Sequence, residues 1–199
     1  MKAVALALLA ATLLAAGVHA AEEEEDFYVV EGPSVAADTV EAVPGELDTL
    51  FAALRRAPNA ERARAISNRI WQIWLRAPDA RAASRMNRNI KYRGYGEYWD
   101  SMEQVEHVIR RHPLYPEAYN QRAFLHFLQG DYEASLADCR RVLELEPRHF
   151  GCMGGMARAL LRLGRREEAR AMMRRALALH PFIEDRRLFP DLVVPRLDL

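Results

Sequence analysis

Three prolines, Pro113, Pro147 and Pro181, stand 34 residues apart. Gly96, Gly130 and Gly164 keep the same interval, as do Ser101, Ser135 and Ala169, and Val108, Val142 and Ala176. Four residue classes in one register mean that a single structural unit of about 34 residues is used repeatedly. The unit is clearest over residues 116–147. Pro116 opens a first helix, at a position where its missing N–H would have had no partner. Gly130-Asp131 breaks that helix and supplies a turn. A second helix runs from about Tyr132 to Leu145, and Pro147 stops it. Two antiparallel helices of this length cannot bury their apolar faces alone, so each unit needs its neighbours.

A helix–turn–helix repeat of this length resembles the tetratricopeptide repeat (TPR) family. Tyr119, Ala123, Gly130, Tyr132, Ser135, Val142 and Pro147 fall on that family's pattern, and Ala157, Gly164, Ala169, Ala176 and Pro181 do so in the next copy. The copy before is degenerate: Gly96, Tyr98, Ser101, Val108 and Pro113 match, but its first helix is polar. The resemblance covers roughly residues 82 to 181. It implies an all-α fold, a TPR-type α-solenoid of antiparallel helix pairs, with about three repeats at 80–113, 116–147 and 150–181. The segments YNQRA, DYEASLAD and LEPRHFG also resemble short exported TPR proteins of Gram-negative bacteria.

The flanks fit a processed, exported chain. Lys2, the Ala/Leu run from Ala3 to Ala16, and Val18-His19-Ala20 form the pattern of a signal peptide over 1–20. The apolar run is shorter than the roughly 20 residues a spanning helix needs, so no stable membrane insertion is expected after cleavage. The expected location is periplasmic if the source is bacterial, secreted or luminal if it is eukaryotic. Residues 21–45 begin with Glu22-Glu23-Glu24-Glu25-Asp26 and read as an acidic, extended linker. The chain has equal numbers of acids and bases, which argues against a nucleic-acid or anionic-membrane partner held by bulk electrostatics.

Residues 46–79 form an atypical N-terminal helical pair outside the 34-residue register. Leu47, Leu50, Phe51 and Leu54 make one apolar stripe, and Ile66, Ile70, Trp71, Ile73 and Trp74 make a broader one. The tryptophans are expected as a seam against the first true repeat, with a ligand site as the alternative. Arg81, Arg85, Arg88, Lys91 and Arg93 crowd the next helix. They read as a solvated face, or as a receiver for an acidic peptide or for the chain's own acidic run. Gly151, Gly154 and Gly155 weaken a later helix by about 1 kcal/mol each relative to Ala. Such a cluster calls for a neighbour, or a ligand backbone, that packs very close. Residues 182–199 read as a non-helical tail that caps the last helix or lies in the groove.

No pattern calls for a catalytic residue, a metal or a cofactor. His107, His112, His126, His149 and His180 show no HExxH or HxH spacing. His126 reads as a packed histidine, and His112 and His180 occupy equivalent turns expected to face solvent. There is no Gly-x-Ser-x-Gly elbow or paired-carboxylate signature, and Asp131, Asp138, Glu144 and Glu146 need only a solvent role.

The family resemblance adds two expectations. Stacking would place the helices of Cys139 and Cys152 side by side, which allows a disulfide in an oxidising compartment; two small buried thiols are the alternative. TPR arrays also use the inner face, lined by the first helix of each pair, to hold extended peptides or partner helices. That face here comprises Met86, Ile90, Asn120, Phe124, Phe127, Leu128, Gly154, Arg158 and Leu161. The family's carboxylate clamp is absent, because Met86, Ile90, Phe124 and Gly154 stand where its polar residues belong. The expected function is a protein–protein interaction module, a scaffold or adaptor of an envelope or secretion complex. The alternative is a self-associating structural protein, a homo-oligomer or a chain whose own tail fills the groove.

Overall fold

A computed structural model describes residues 45–192. The signal segment, the linker up to residue 44 and the last seven residues, 193–199, lie outside the described residues. Within them the chain forms eight α-helices and two short 3₁₀ turns: α1 (Glu46–Arg55), α2 (Ala60–Trp74), α3 (Ala80–Gly94), α4 (Tyr98–Arg111), α5 (Pro116–Leu128), α6 (Tyr132–Leu145), α7 (Phe150–Arg162) and α8 (Arg166–Leu179), then Glu184–Leu188 and Pro190–Leu192. None of these helices is long and apolar enough to cross a membrane. The pairs α3–α4, α5–α6 and α7–α8 are hairpins, and α4 packs on α5 as α6 packs on α7.

The sequence period has a local cause at each position. Gly96, Gly130 and Gly164 adopt φ of 76°, 79° and 73°, the left-handed conformation that ends a helix and that other residues rarely take. Ser101, Ser135 and Ala169 are buried where the two helices of a pair approach closely, so a small side chain is required. Val108, Val142 and Ala176 fill the core beneath them. The helix starts are capped by Asn59, Asp79 and Asp131, whose side chains accept from the backbone N–H of Arg62, Ala82 and Ala134.

The N-terminal pair, α1 and α2, packs against more than the first repeat. Its tryptophans were expected against the first true repeat. Trp71 does pack on the core of that repeat, with Ala82, Ala83 and Met86, but α1 lies against α8, and Trp71 and Trp74 also meet His149 and Phe150 at the entrance to the last repeat. Phe51 and Phe150 meet edge-on at 6.3 Å, and Arg148 bridges to Asp48 at 2.5 Å. The driving force is apolar burial: Phe51, Leu54, Ile70 and Trp74 join one core with Phe150, Met153 and Met173. The outer helix of the array thereby gains cover from the start of the chain.

The last described residues pack on the same core. The tail contains 3₁₀ turns where no helix was expected, and Ile183 and Phe189 are buried in the same core. His180 does not face solvent: it is buried, edge-on to Phe150 at 5.1 Å. His112 is also held, with its Nε2 3.1 Å from Asp79 Oδ2. Asp138 is no solvent residue either, since it is buried and accepts two hydrogen bonds from Arg122 at 2.7 and 2.8 Å. The half-buried His126 stands 3.8 Å from that carboxylate.

Candidate partner-binding face

The 34-residue register sets the first helices of the repeats, α3, α5 and α7, in matching rows. Met86, Asn120 and Gly154 form one row, Ile90, Phe124 and Arg158 the next, and Arg93, Phe127 and Leu161 a third. The three rows differ in what lies over them.

Two members of the first row, Met86 and Gly154, are buried, and Asn120 is half-buried. Met86 is fully buried in a core with Leu75, Ala83 and Leu125 against which Trp71 packs, so it offers no surface to a ligand. Asn120 donates to Glu117 at 3.1 and 3.2 Å and stands 3.1 Å from Cys152 Sγ. A Cβ on Gly154 would collide with the carboxylate of Asp185 in the tail. Burial pushes the Asp185 carboxyl up, and Arg158, 3.3 Å away, pulls it back. About one helical turn before Gly154, a Cβ on Gly151 would lie 2.5 Å from Trp71 Cη2. Two of the α7 glycines thus answer to close neighbours, one from each end of the described chain.

Beneath this row runs a buried polar chain that sequence patterns did not disclose. Glu117 is fully buried, with its carboxylate accepting from Gln121 Nε2 at 2.6 Å and from Asn120. His149, also fully buried, approaches its other oxygen at 3.3 Å through Nε2. His149 Nδ1 accepts from the Cys152 N–H at 3.1 Å, which leaves the proton on Nε2 and makes that nitrogen the donor to Glu117. Gln121 in turn accepts from Arg93 and from Asn89, and Asn89 accepts from Ser101. Burial lowers the Arg93 guanidinium from its ordinary value, with Glu117 opposing. In sequence, Glu117 is simply an acid in the first turn of α5, where any acid suits the helix dipole.

The second and third rows are built differently. Ile90, Phe124, Arg158, Phe127, Leu161 and the neighbouring Leu128 are all half-buried. The Arg93 guanidinium sits over the Phe124 ring at 4.8 Å, and that of Arg158 over the Phe127 ring at 5.7 Å. Arg162 lies over Tyr132 at 5.5 Å. These contacts hold the rings and the cations in one surface, alternately apolar and positive. Such a surface can receive an extended chain carrying apolar and acidic side chains. Among the described residues no group of three or more His, Cys, Asp or Glu side chains is placed to hold a metal ion.

Cys139 and Cys152 are brought together on α6 and α7. Both are buried free thiols, and their sulfurs are 2.8 Å apart.

Comparison with known proteins gives one consistent picture. A tetratricopeptide repeat family model matches residues 126–186. A TPR repeat-containing protein of Rhizobium etli is 32% identical over 135 residues, which cover 68% of this chain and 66% of the relative. The chain thus spans about two thirds of that relative's length. Among solved structures, the first TPR of Spaghetti (RPAP3), bound to the HSP90 peptide SRMEEVD, is similar with a TM-score of 0.55 and 20% identity, over 58% of this chain and 93% of that one. A crystal structure of MamA protein aligns over 78% of this chain and 80% of that one, at 15% identity and a TM-score of 0.47. The likeness to the Spaghetti repeat is one of fold.

Proposed function

This chain is a tetratricopeptide repeat protein, and from that premise we propose that it is a binding module whose inner face holds an extended peptide or partner segment across Ile90, Phe124, Phe127, Leu128, Arg158 and Leu161. The observation that carries the proposal is the contrast between rows. Met86 and Gly154 of the first row are buried, whereas Phe124 and Phe127 of the next two rows are half-buried rings beneath guanidinium groups. Aromatic and arginine side chains together are the composition of binding hot spots. The repeat in Spaghetti that shares this fold was solved with a peptide bound, which supports a peptide as the class of ligand here.

The signal pattern at 1–20 and a relative from a bacterium, Rhizobium etli, favour export to the periplasm and a scaffold or adaptor role in an envelope or secretion complex. No catalytic role is proposed. Capture from an envelope extract with the full chain tests the binding reading. A protein retained by wild type and lost by a folded Phe124→Ala/Phe127→Ala variant supports it, and the same set retained by both defeats it.

A second reading rests on a separate observation. Trp71 over Gly151 and Asp185 over Gly154 place chain-internal groups on the first helix of the last repeat. A structural protein that satisfies its own inner face, alone or by self-association, follows from continuing that pattern. Sedimentation of the purified chain together with a null capture experiment would favour it.

A further inference from the structure

Among the described residues, each helix but one contributes a side chain to at least one ion pair with a carboxylate. Arg69 meets Glu46, Arg122 meets Asp138, Arg141 meets Glu144, Arg165 meets Glu133 and Glu168, and Arg187 meets Glu184. Helix α3 is the exception. It carries Arg81, Arg85, Arg88, Lys91 and Arg93 and no acid. Among the described residues no carboxylate pairs with Arg81, Arg85 or Arg88. These three are spaced i, i+4, i+7 and so share one helix face, where like charges repel. Arg81 also sits in the first turn, the end of a helix that disfavours a cation.

The local structure gathers these charges instead of spreading them. Gln104 of α4, buried, accepts from Arg85 Nη1 at 3.0 Å and from Arg88 Nε at 3.2 Å through the same Oε1. Two guanidinium groups are thereby converged on one neutral oxygen. Arg88 is held a second time by Ser84 Oγ at 3.1 Å. Arg81, Ser84, Arg85 and Arg88 then line a shallow cleft with His107 of α4 as its far wall. The N-terminal pair packs on the last repeat, and this face of α3 and α4 stays open: Arg81, Ser84, Arg88 and His107 are exposed.

We infer that the α3–α4 cleft is a second interaction site, which binds a segment of a partner polypeptide carrying successive carboxylates. The reading does not depend on the inner-face proposal. Three features select this occupant. The residues from 45 to 192 carry 26 Lys and Arg against 19 Asp and Glu, so the described array attracts anions. The cationic face runs from Arg81 to Arg88, about 10 Å along the helix axis, which is longer than one phosphate spans and matches two or three acidic side chains. The cleft is shallow and open, a shape for a chain segment and not for an enclosed small molecule. His107 supports the same picture. Partial desolvation and then Arg85, Arg110 and Arg111 hold its imidazole below the ordinary value, with Glu103 opposing. Carboxylates bound beside it would reverse that direction.

The test uses the full chain with a pentaglutamate peptide as probe, followed by NMR of the His107 ring and by calorimetry. The expected result is saturable binding that perturbs His107, raises its pKa, and weakens several-fold between 50 and 200 mM salt. Arg85→Gln/Arg88→Gln should weaken it at least tenfold. Should that variant fail to fold, Arg81→Gln, on an exposed residue, should weaken it about threefold. Absence of binding at low salt, or binding that leaves His107 unmoved and ignores these substitutions, overturns the site. Inorganic phosphate that displaces the peptide at equal concentration overturns the polypeptide occupant.

Discussion

Trp74 lies flat on His149, with ring centroids 4.1 Å apart and ring planes 14° from parallel. The contact joins the N-terminal pair to the entrance of the last repeat. His149 is fixed from three directions: by Trp74 on its face, by Glu117 at Nε2, and by the Cys152 N–H at Nδ1. Through it the repeats and the N-terminal pair share one buried anchor.

Removing the stack should loosen the whole array. Trp74→Ala deletes a buried indole between Phe51, Trp71, His149 and Phe150, a change of the kind that costs about 3–5 kcal/mol. Urea denaturation checks it. A loss below about 1 kcal/mol would mean that the N-terminal pair is only loosely attached.

The glycines of α7 should respond in opposite senses. At Gly155 a Cβ meets only Cys139 Sγ, at 4.0 Å, so Gly155→Ala should gain up to about 1 kcal/mol of helix propensity. At Gly151 a Cβ collides with the Trp71 ring, so Gly151→Ala should lose about 1–3 kcal/mol through overpacking. Melting temperatures of the two variants should therefore move apart, one up and one down.

His180 gives a pH dependence with a definite sign. Burial, then Arg186, lowers its pKa from 6.5 to about 4. The unfolded chain then takes up a proton more readily than the folded one as pH falls. The stability that the neutral ring supplies is therefore complete above about pH 6.5 and is lost between there and about pH 4. The full loss is about 3 kcal/mol. His180→Asn should flatten the difference in stability between pH 7 and pH 4.5, as read by denaturation at both. An unchanged difference would place the pH sensitivity elsewhere.

Cys139 and Cys152 should be found joined when the protein is taken from an oxidising compartment. Exchange with a disulfide oxidant would form the new S–S bond, with two protons and two electrons passing to the oxidant. Burial first, then Cys139, pushes the Cys152 thiol well above its usual value, so the folded reduced protein should react slowly with thiol reagents. Thiol titration of the denatured, unreduced protein should find none, and two after reduction. Two free thiols without reduction would contradict the cross-link.

The repeats were legible because each periodic residue does a local task. Pro147 stops a helix, Gly130 makes a left-handed turn, and Ser135 permits close packing, all within one unit. What the period does not encode is contact between distant units. Trp71 and Trp74 form an apolar stripe that fits many partners, and nothing near them in sequence names His149 and Phe150 as the ones met. Gly151 and Gly154 did signal a close approach, but not whose. For the binding face, the rows of Phe124 and Phe127 follow from the register. The closure of Met86 depends on α2, whose docking lies outside any repeat, and so escaped the pattern. Glu117 was hidden for a related reason: its burial is compensated by Gln121, Asn120 and His149, two of them its own helix neighbours and one in another repeat.

The most direct test of the inner face as a partner site is photo-crosslinking in the source cell. A photoreactive phenylalanine analogue replaces Phe124 in one strain and Arg174, on the second helix of the last repeat, in another. One discrete heterologous product is expected from position 124 and none from 174. Crosslinks from 124 that join only this chain to itself, or identical products from both positions, would contradict it.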